Sequence, residues 1–166
     1  MINKHLDFRP VVEVDKDFLC RLYASTRTEE LAQTGWNEIQ KQAFLRQQFE
    51  AQHVFYQERF AGASFELILL DKKPIGRLYV DCRADEIRII DIALLPDVRN
   101  QGIGGHLLRE LLNEAGAAHI PLRIHVEHYN PALRLYQRLG FRHIDDNGVY
   151  YLMEARPAVD QVNTAS

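Results

Sequence analysis

The sequence predicts a mixed α/β domain, a twisted sheet carrying helices, on three observations. Apolar residues recur with period two in several short runs and at helical spacing in others, and the two kinds of run alternate along the chain. One run, Glu86-Ile87-Arg88-Ile89-Ile90-Asp91-Ile92-Ala93-Leu94-Leu95, is β-branched and mostly apolar, as a central strand covered on both faces requires. A leucine-rich helix then leads into another strand, which is most simply a βαβ crossover between parallel strands. The 166 residues, 46% hydrophobic, suffice for one core and one domain, read as 1–156, with the small and polar 157–166 as a loose tail.

Leu6-Asp7-Phe8-Arg9 reads as an opening strand. Asp15 is an N-cap candidate before Phe18, Leu19, Leu22 and Tyr23 at helical spacing, and this helix stops near Ser25-Thr26. A polar stretch from Thr28 to Gly35 leads to a Gln-rich helix from Glu38 to about Tyr56, capped by Asn37, with Trp36 at the junction. Phe65 to Leu70 is a strand, Asp71 to Pro74 a turn, and Ile75 to Asp81 the return strand with Gly76 inside it. Pro96 ends the central strand. Leu107, Leu108, Leu111, Leu112 and Ala115 form an amphipathic stripe that stops before Pro121, and Leu122 to Val126 is the following strand. Asn130-Pro131 opens a last helix and Gly140 closes it. Phe141 to Asp145 and Val149 to Glu154 make a final hairpin around Asp146-Asn147-Gly148.

Composition removes several classes of function. Twenty Lys and Arg against 23 Asp and Glu leave a formal net charge of -3, so no global positive field exists to hold a nucleic acid. No run approaches the roughly 20 apolar residues of a membrane span, and Met1 to Asp7 lack the apolar segment of a signal peptide. The expectation is a soluble cytoplasmic protein, monomer or homodimer, with neither membrane nor nucleic acid as partner. Cys20 and Cys82 are too few and too far apart for a disulfide framework or a C-x-x-C site, and read as small core residues.

Between the central strand and the leucine-rich helix lies Arg99-Asn100-Gln101-Gly102-Ile103-Gly104-Gly105. Glycines let backbone N–H groups approach an anion, and the first turn of a helix adds the positive end of its dipole, so this turn suits a pyrophosphate. A plain tight turn is the alternative. It is not a Walker loop, because no Lys follows Gly104, nor a dinucleotide fingerprint, because Leu107 stands where a third glycine belongs.

The second element is Asn130-Pro131-Ala132-Leu133-Arg134-Leu135-Tyr136-Gln137-Arg138-Leu139-Gly140-Phe141. With the R-x-x-G-x-G pattern of Arg99, Gly102 and Gly104, the chain resembles the GNAT superfamily of acyl-coenzyme A-dependent N-acetyltransferases, strongly over Glu86 to Phe141 and in architecture before that. The resemblance implies a mixed, twisted sheet whose two central parallel strands splay apart, flanked by about four helices, with acetyl-CoA as acyl donor. It implies that backbone groups of Ala93 and Leu94 bind the pantetheine arm. Arg99, Asn100, Gln101, Gly102, Ile103, Gly104 and Gly105 would hold the pyrophosphate, Asn130 would touch the cofactor, and Tyr136 would lie near the thioester sulfur.

Attack on a thioester needs a neutral amine, whereas a lysine-type amine has a pKa of about 10.4, so a base or water path must remove a proton. Tyr136 is the candidate acid for the departing thiolate; the alternative is that it packs in the stripe Ala132, Leu135, Tyr136, Leu139. For the base, Asp91 shares a strand face with Ile87, Ile89 and Ala93, while His125 and Glu127 share a face of the next strand, and the three stay open. No metal is expected, since in His125-Val126-Glu127-His128 only two ligand types share a face. Glu29, Glu30 and Trp36, with Tyr56, Tyr150 and Tyr151, suit a cationic amine acceptor; a solvated loop anchored by Trp36 is the plainer reading. Arg27, Arg77 or Arg83 would instead favour an acceptor with a carboxylate. Neither cysteine falls in a matched position, which points to direct transfer in a ternary complex. The alternative is a catalytically weak CoA-binding sensor or interaction module of the same fold.

Overall fold

The computed structural model describes residues 5–157. The start of the chain and the expected tail beyond Pro157 lie outside them. Among the described residues, seven strands, β1 (Leu6–Pro10), β2 (Ser64–Leu70), β3 (Lys73–Cys82), β4 (Ile87–Leu94), β5 (Leu122–Glu127), β6 (Arg142–Asp146) and β7 (Tyr150–Ala155), are hydrogen-bonded in the order β1-β2-β3-β4-β5-β7-β6. The helices among the described residues are α1 (Lys16–Ser25), α2 (Thr28–Ala32), α3 (Glu38–Arg59), α4 (Ile103–Ala118) and α5 (Leu133–Arg138), with 3-10 turns at Glu13–Asp15 and Pro96–Val98. The chain is thus the mixed α/β fold the sequence predicts, with these five α-helices in place of about four. The extra one is α2, a single turn in the polar stretch after α1 that buries only Leu31. None of the described helices is long and apolar enough to cross a membrane.

The residues form two compact units. The first runs to Tyr79 and takes in Asp91–Arg99. Its core joins Leu19 and Tyr23 of α1, Phe49 of α3 and Leu67 of β2. Each fully buried side chain of this kind contributes on the order of 1.5–3 kcal/mol of hydrophobic stabilisation. Helix α3 begins in a capping box, with the Asn37 side chain accepting from the Gln40 N–H at 2.8 Å and Gln40 returning the bond at 3.0 Å. Strand β1 lies antiparallel to β2 with Phe8 opposite Ile68.

The β2–β3 hairpin closes on two residues, Asp71 and Lys72, both at positive φ (49° and 71°), so the turn is tighter than Asp71 to Pro74 and Pro74 falls at the start of β3. At Gly76 a Cβ would collide with the Ala93 carbonyl oxygen, so only glycine allows this approach of β3 to the end of β4. Asp15 occupies the cap position of α1 but makes no cap hydrogen bond. Its carboxylate takes a bidentate pair of bonds from Arg9, each 2.8 Å, and one from the Val12 N–H. The charged fork of Arg9 is the stronger donor and wins the carboxylate.

The second unit comprises Val80–Ile90 and the chain from Asn100 onward. Helix α4 buries Ile103, Leu107, Leu108, Leu111 and Ala115, the stripe read from the sequence, and ends at His119 in the left-handed conformation. Strand β4 pairs in parallel with β5 at Ile87–Leu122, Arg88–Arg123 and Ile89–Ile124. Ile87 and Ile89 are buried and the other residues of β4 are half-buried, so no residue of this central strand is exposed. Strand β7 is antiparallel to both β5 and β6, with a register shift between His143 and Asp145. Helix α5 starts at Leu133, later than Asn130-Pro131, because the Asn130 side chain accepts from the Ala132 N–H at 2.8 Å and spends three residues on a turn. Cys20 is half-buried and Cys82 exposed, so Cys82 is no core residue.

Candidate functional site

The glycine turn is built from backbone conformation. After the 3-10 turn at Pro96–Val98, Asn100 and Gly102 adopt positive φ, 60° and 86°. Gly102 is the N-cap of α4 and supplies no side-chain cap, and the first bond into the helix is His106 N–H to the Gly102 carbonyl at 3.0 Å. The N–H groups of Ile103, Gly104 and Gly105 therefore belong to the first turn of a 16-residue helix, where the helix itself provides no acceptor. With no side chain on Gly102, Gly104 or Gly105, this end of α4 has the donors, the dipole and the bare backbone that a pyrophosphate requires.

In the first unit, Ala93 and Leu94 end β4 half-buried. The Leu94 carbonyl accepts from Arg99 Nε at 2.8 Å, and the same guanidinium reaches Ser25 Oγ at 3.2 Å. Arg99 thus ties the last turn of α1 to the end of β4. Asp91 is engaged by Arg77, whose guanidinium also donates to Gln52 at 2.7 Å and stacks over the Tyr79 ring at 4.9 Å. Arg77 is 3% exposed. Burial opposes its charge most strongly, but Asp91, with Tyr79 and Tyr56, together outweigh that penalty and its pKa stands above the ordinary value. Arg77 accordingly does not face an acceptor carboxylate; it is committed to Asp91.

Glu29 and Glu30 are exposed on α2, and Glu30 pairs with Arg27 at 3.3 Å. Trp36 packs edge-on against Phe44 at 5.1 Å, anchoring the loop before α3. Tyr56 meets Tyr79 edge-on at 6.0 Å.

In the second unit, Tyr136 is buried in α5, its ring edge-on to Phe141 at 5.5 Å. His125 is exposed on β5, with Nδ1 3.2 Å from Arg88. Burial of part of the ring, and then the Arg88 charge, hold its pKa below the ordinary imidazole value. Glu127 is half-buried at the end of β5, opposite Tyr150, and its carbonyl accepts from the Asn130 N–H. Tyr150 is exposed, whereas Tyr151 is stacked between His128 and His143, each at 4.0 Å.

Sequence reasoning assigns no role to Arg88. The alternation of Glu86 and Arg88 is visible in the sequence, but Arg88 meets His125 only through the parallel register of β4 and β5, 37 residues apart along the chain. Arg83 likewise is held by Asp81 at 2.8 Å and Glu86 at 3.0 Å. Among the described residues, no group of three or more His, Cys, Asp or Glu is placed to hold a metal ion.

An acetyltransferase (GNAT) domain model matches residues 62–143. No curated protein matches the sequence. Among solved structures, the chain is similar to the PaiA N-acetyltransferase from Thermoplasma acidophilum in complex with coenzyme A, at 19% identity and a TM-score of 0.67, over 92% of this chain and 99% of that one. It is similar to an acetyltransferase from Thermus thermophilus at 23% identity and a TM-score of 0.63, over 92% and 97% of the two chains. A GNAT family acetyltransferase from Elizabethkingia anophelis with acetyl-CoA bound matches at 19% identity and a TM-score of 0.58, over 94% and 99%. At these identities the likeness is one of fold.

Proposed function

We propose that this chain, which belongs to the GNAT acetyltransferase family on the match of residues 62–143, transfers the acetyl group of acetyl-CoA directly to a primary amine of a small molecule or of a peptide or protein. The observation that carries the reading is the start of α4, where Gly102 at φ 86° exposes the N–H groups of a long helix with no side chain in front of them. Two of the similar solved structures hold coenzyme A or acetyl-CoA, which supports the same ligand here.

The residues present fit that ligand. In the second unit, the backbone from Asn100 to Gly105 would take the pyrophosphate and Asn130 would add a contact; in the first unit, the family resemblance assigns the pantetheine amides to the backbone of Ala93 and Leu94 and a pyrophosphate contact to Arg99. Arg99 now occupies the Leu94 carbonyl, so seating the pantetheine would exchange one donor for another there. When bound, acetyl-CoA supplies an acyl group activated as a thioester. As the amine nitrogen bonds to the thioester carbon and the carbon–sulfur bond breaks, Tyr136 would give its hydroxyl proton to the departing thiolate, and its burial against Phe141 keeps the phenol in one place. The acceptor ammonium must first lose a proton. For Asp91 to take it, the carboxylate would have to surrender the Arg77 pair, and for His125 to take it at Nδ1, the ring would have to surrender Arg88. Glu127 is the third candidate, and the three stay open; for a cationic acceptor the proposed contacts are the exposed Glu29 and Glu30 and Trp36.

Isothermal titration with acetyl-CoA and with CoA tests the reading. Micromolar binding by the parent protein, lost in a Gly104→Trp variant whose circular dichroism is unchanged, is the expected result. Folded protein that binds neither ligand would overturn it.

A further inference from the structure

Building on the acyl-transfer reading, we propose that His125 serves as a fixed hydrogen-bond donor, its Nε2–H presented to an oxygen of the acceptor and its tautomer set by Arg88. A guanidinium has donors and no acceptor, so the 3.2 Å contact between Arg88 and His125 Nδ1 requires the nitrogen to offer its lone pair. In a neutral imidazole the other nitrogen then carries the hydrogen. His125 therefore shows the outside an N–H, and the lone pair a base would need is already used.

The guanidinium is not free to swing away. Its other end donates to both oxygens of Glu86, at 3.1 and 3.3 Å. Glu86 is 4% exposed and takes further bonds from Arg83 at 3.0 Å and Arg123 at 3.1 Å. The ring is thus oriented by a relay from a buried carboxylate through Arg88, while its exposed position on β5 leaves it open to a ligand. The charged groups around it are Glu86, just before β4, Arg88 on β4 and Asp145 on β6; on β7 its register partner is the uncharged Leu152. Partial burial and Arg88 outweigh the two carboxylates, so the ring stays neutral at pH 7.

A neutral N–H donor selects an acceptor by its oxygen. The class this favours is an amine with a carbonyl or carboxylate oxygen nearby, such as an amino-acid amide or a peptide N-terminus, over a plain alkylamine. Arg88 acts through the ring and is a positioning residue.

The test has two arms. In protein labelled with 15N-histidine, long-range 1H–15N correlation at pH 7, assigned with His125→Gln, should show the neutral Nε2–H form, and Arg88→Gln should turn it into a tautomer mixture. An Nδ1–H or protonated ring in the parent protein would overturn the proposal. In the second arm, kcat/KM for an amino-acid amide is compared with that for an alkylamine. The ratio should fall about tenfold or more in His125→Phe, which has a ring without a donor, and hold in His125→Gln, which retains one. An unchanged ratio in both variants, with kcat lost in both together with the acidic limb of the pH profile, would make His125 a base and overturn the donor role. Folded protein that binds no coenzyme A would remove the acyl-transfer reading and the acceptor role with it; the tautomer measurement is made on the ligand-free protein and separates the two failures.

Discussion

Arg77 on β3 and Arg88 on β4 each hold a carboxylate, and the difference between their surroundings separates what the two units contribute. The Arg77 side chain is 4% exposed, shared between Asp91 and Gln52 and stacked on Tyr79. The Arg88 side chain is 15% exposed and divides its donors between Glu86 and the ring of the exposed His125. A cation withdrawn from water must keep its partner, because the penalty for a lone buried charge is several kcal/mol. A cation at the edge of water can spend one donor on a titratable ring, and so fix which of its nitrogens carries a proton. The Arg77 cluster is read as stability and the Arg88 cluster as chemistry.

The largest expected effect breaks the first half of that comparison. Arg77→Ala leaves Asp91 half-buried without its cation and should cost about 3–5 kcal/mol in urea unfolding, whereas Arg77→Leu combined with Asp91→Leu should recover most of the loss. A cost below about 1 kcal/mol for Arg77→Ala would place the pair with ordinary surface bridges. Next comes the chemistry of the second unit. Tyr136→Phe keeps the ring against Phe141 and removes only the hydroxyl, so turnover should fall about 100-fold while coenzyme A affinity and the unfolding midpoint hold. An unchanged turnover would return Tyr136 to a packing role. A smaller effect is expected where backbone, not charge, builds the site: Gly102→Ala, forced to φ 86°, should cost about 1–2 kcal/mol in the same unfolding assay. A stabilised variant would show that the left-handed cap is not required.

Legibility in the sequence follows the range of the interactions. The β2–β3 hairpin, the α4 stripe, the Asn37 cap and the Asn147-Gly148 turn are readable because each is decided within a few residues. Helix α2 is not, since five residues with one buried leucine carry no periodic signal. Asp15 has the sequence signature of a cap and does not act as one, because the residue that claims it, Arg9, comes from a different element. The same holds for the candidate site. The glycine turn is a local motif, and its left-handed positions fall where the glycine pattern indicates. The partners of Asp91 and His125 depend instead on which strands lie side by side. From sequence, Arg77 is only one of several arginines suited to an acceptor carboxylate and Arg88 has no signal at all, because pairing across strands brings them to their partners 14 and 37 residues away.

The smallest effect sharpens the second half of the comparison through pH. In the folded protein, burial and Arg88 keep the His125 pKa below its ordinary value of about 6.5, so the fold favours the neutral ring. The unfolded chain takes up this proton first as pH falls. His125 therefore contributes stability that is full above the ordinary value and is lost as pH falls from there through the lower folded value. Removing the charge in Arg88→Gln raises the folded pKa toward the unfolded one and shrinks that contribution. The difference between urea midpoints at pH 7.5 and pH 5.5 should be narrower in Arg88→Gln than in the parent. His53, whose pKa burial also lowers, titrates in the same window, and Asp15 loses its contribution only below the ordinary carboxylate range; Arg88→Gln touches neither, so both cancel in the comparison. An equal or wider difference in the variant would mean that Arg88 does not act on the ring, and the contrast with Arg77 would reduce to one of burial alone.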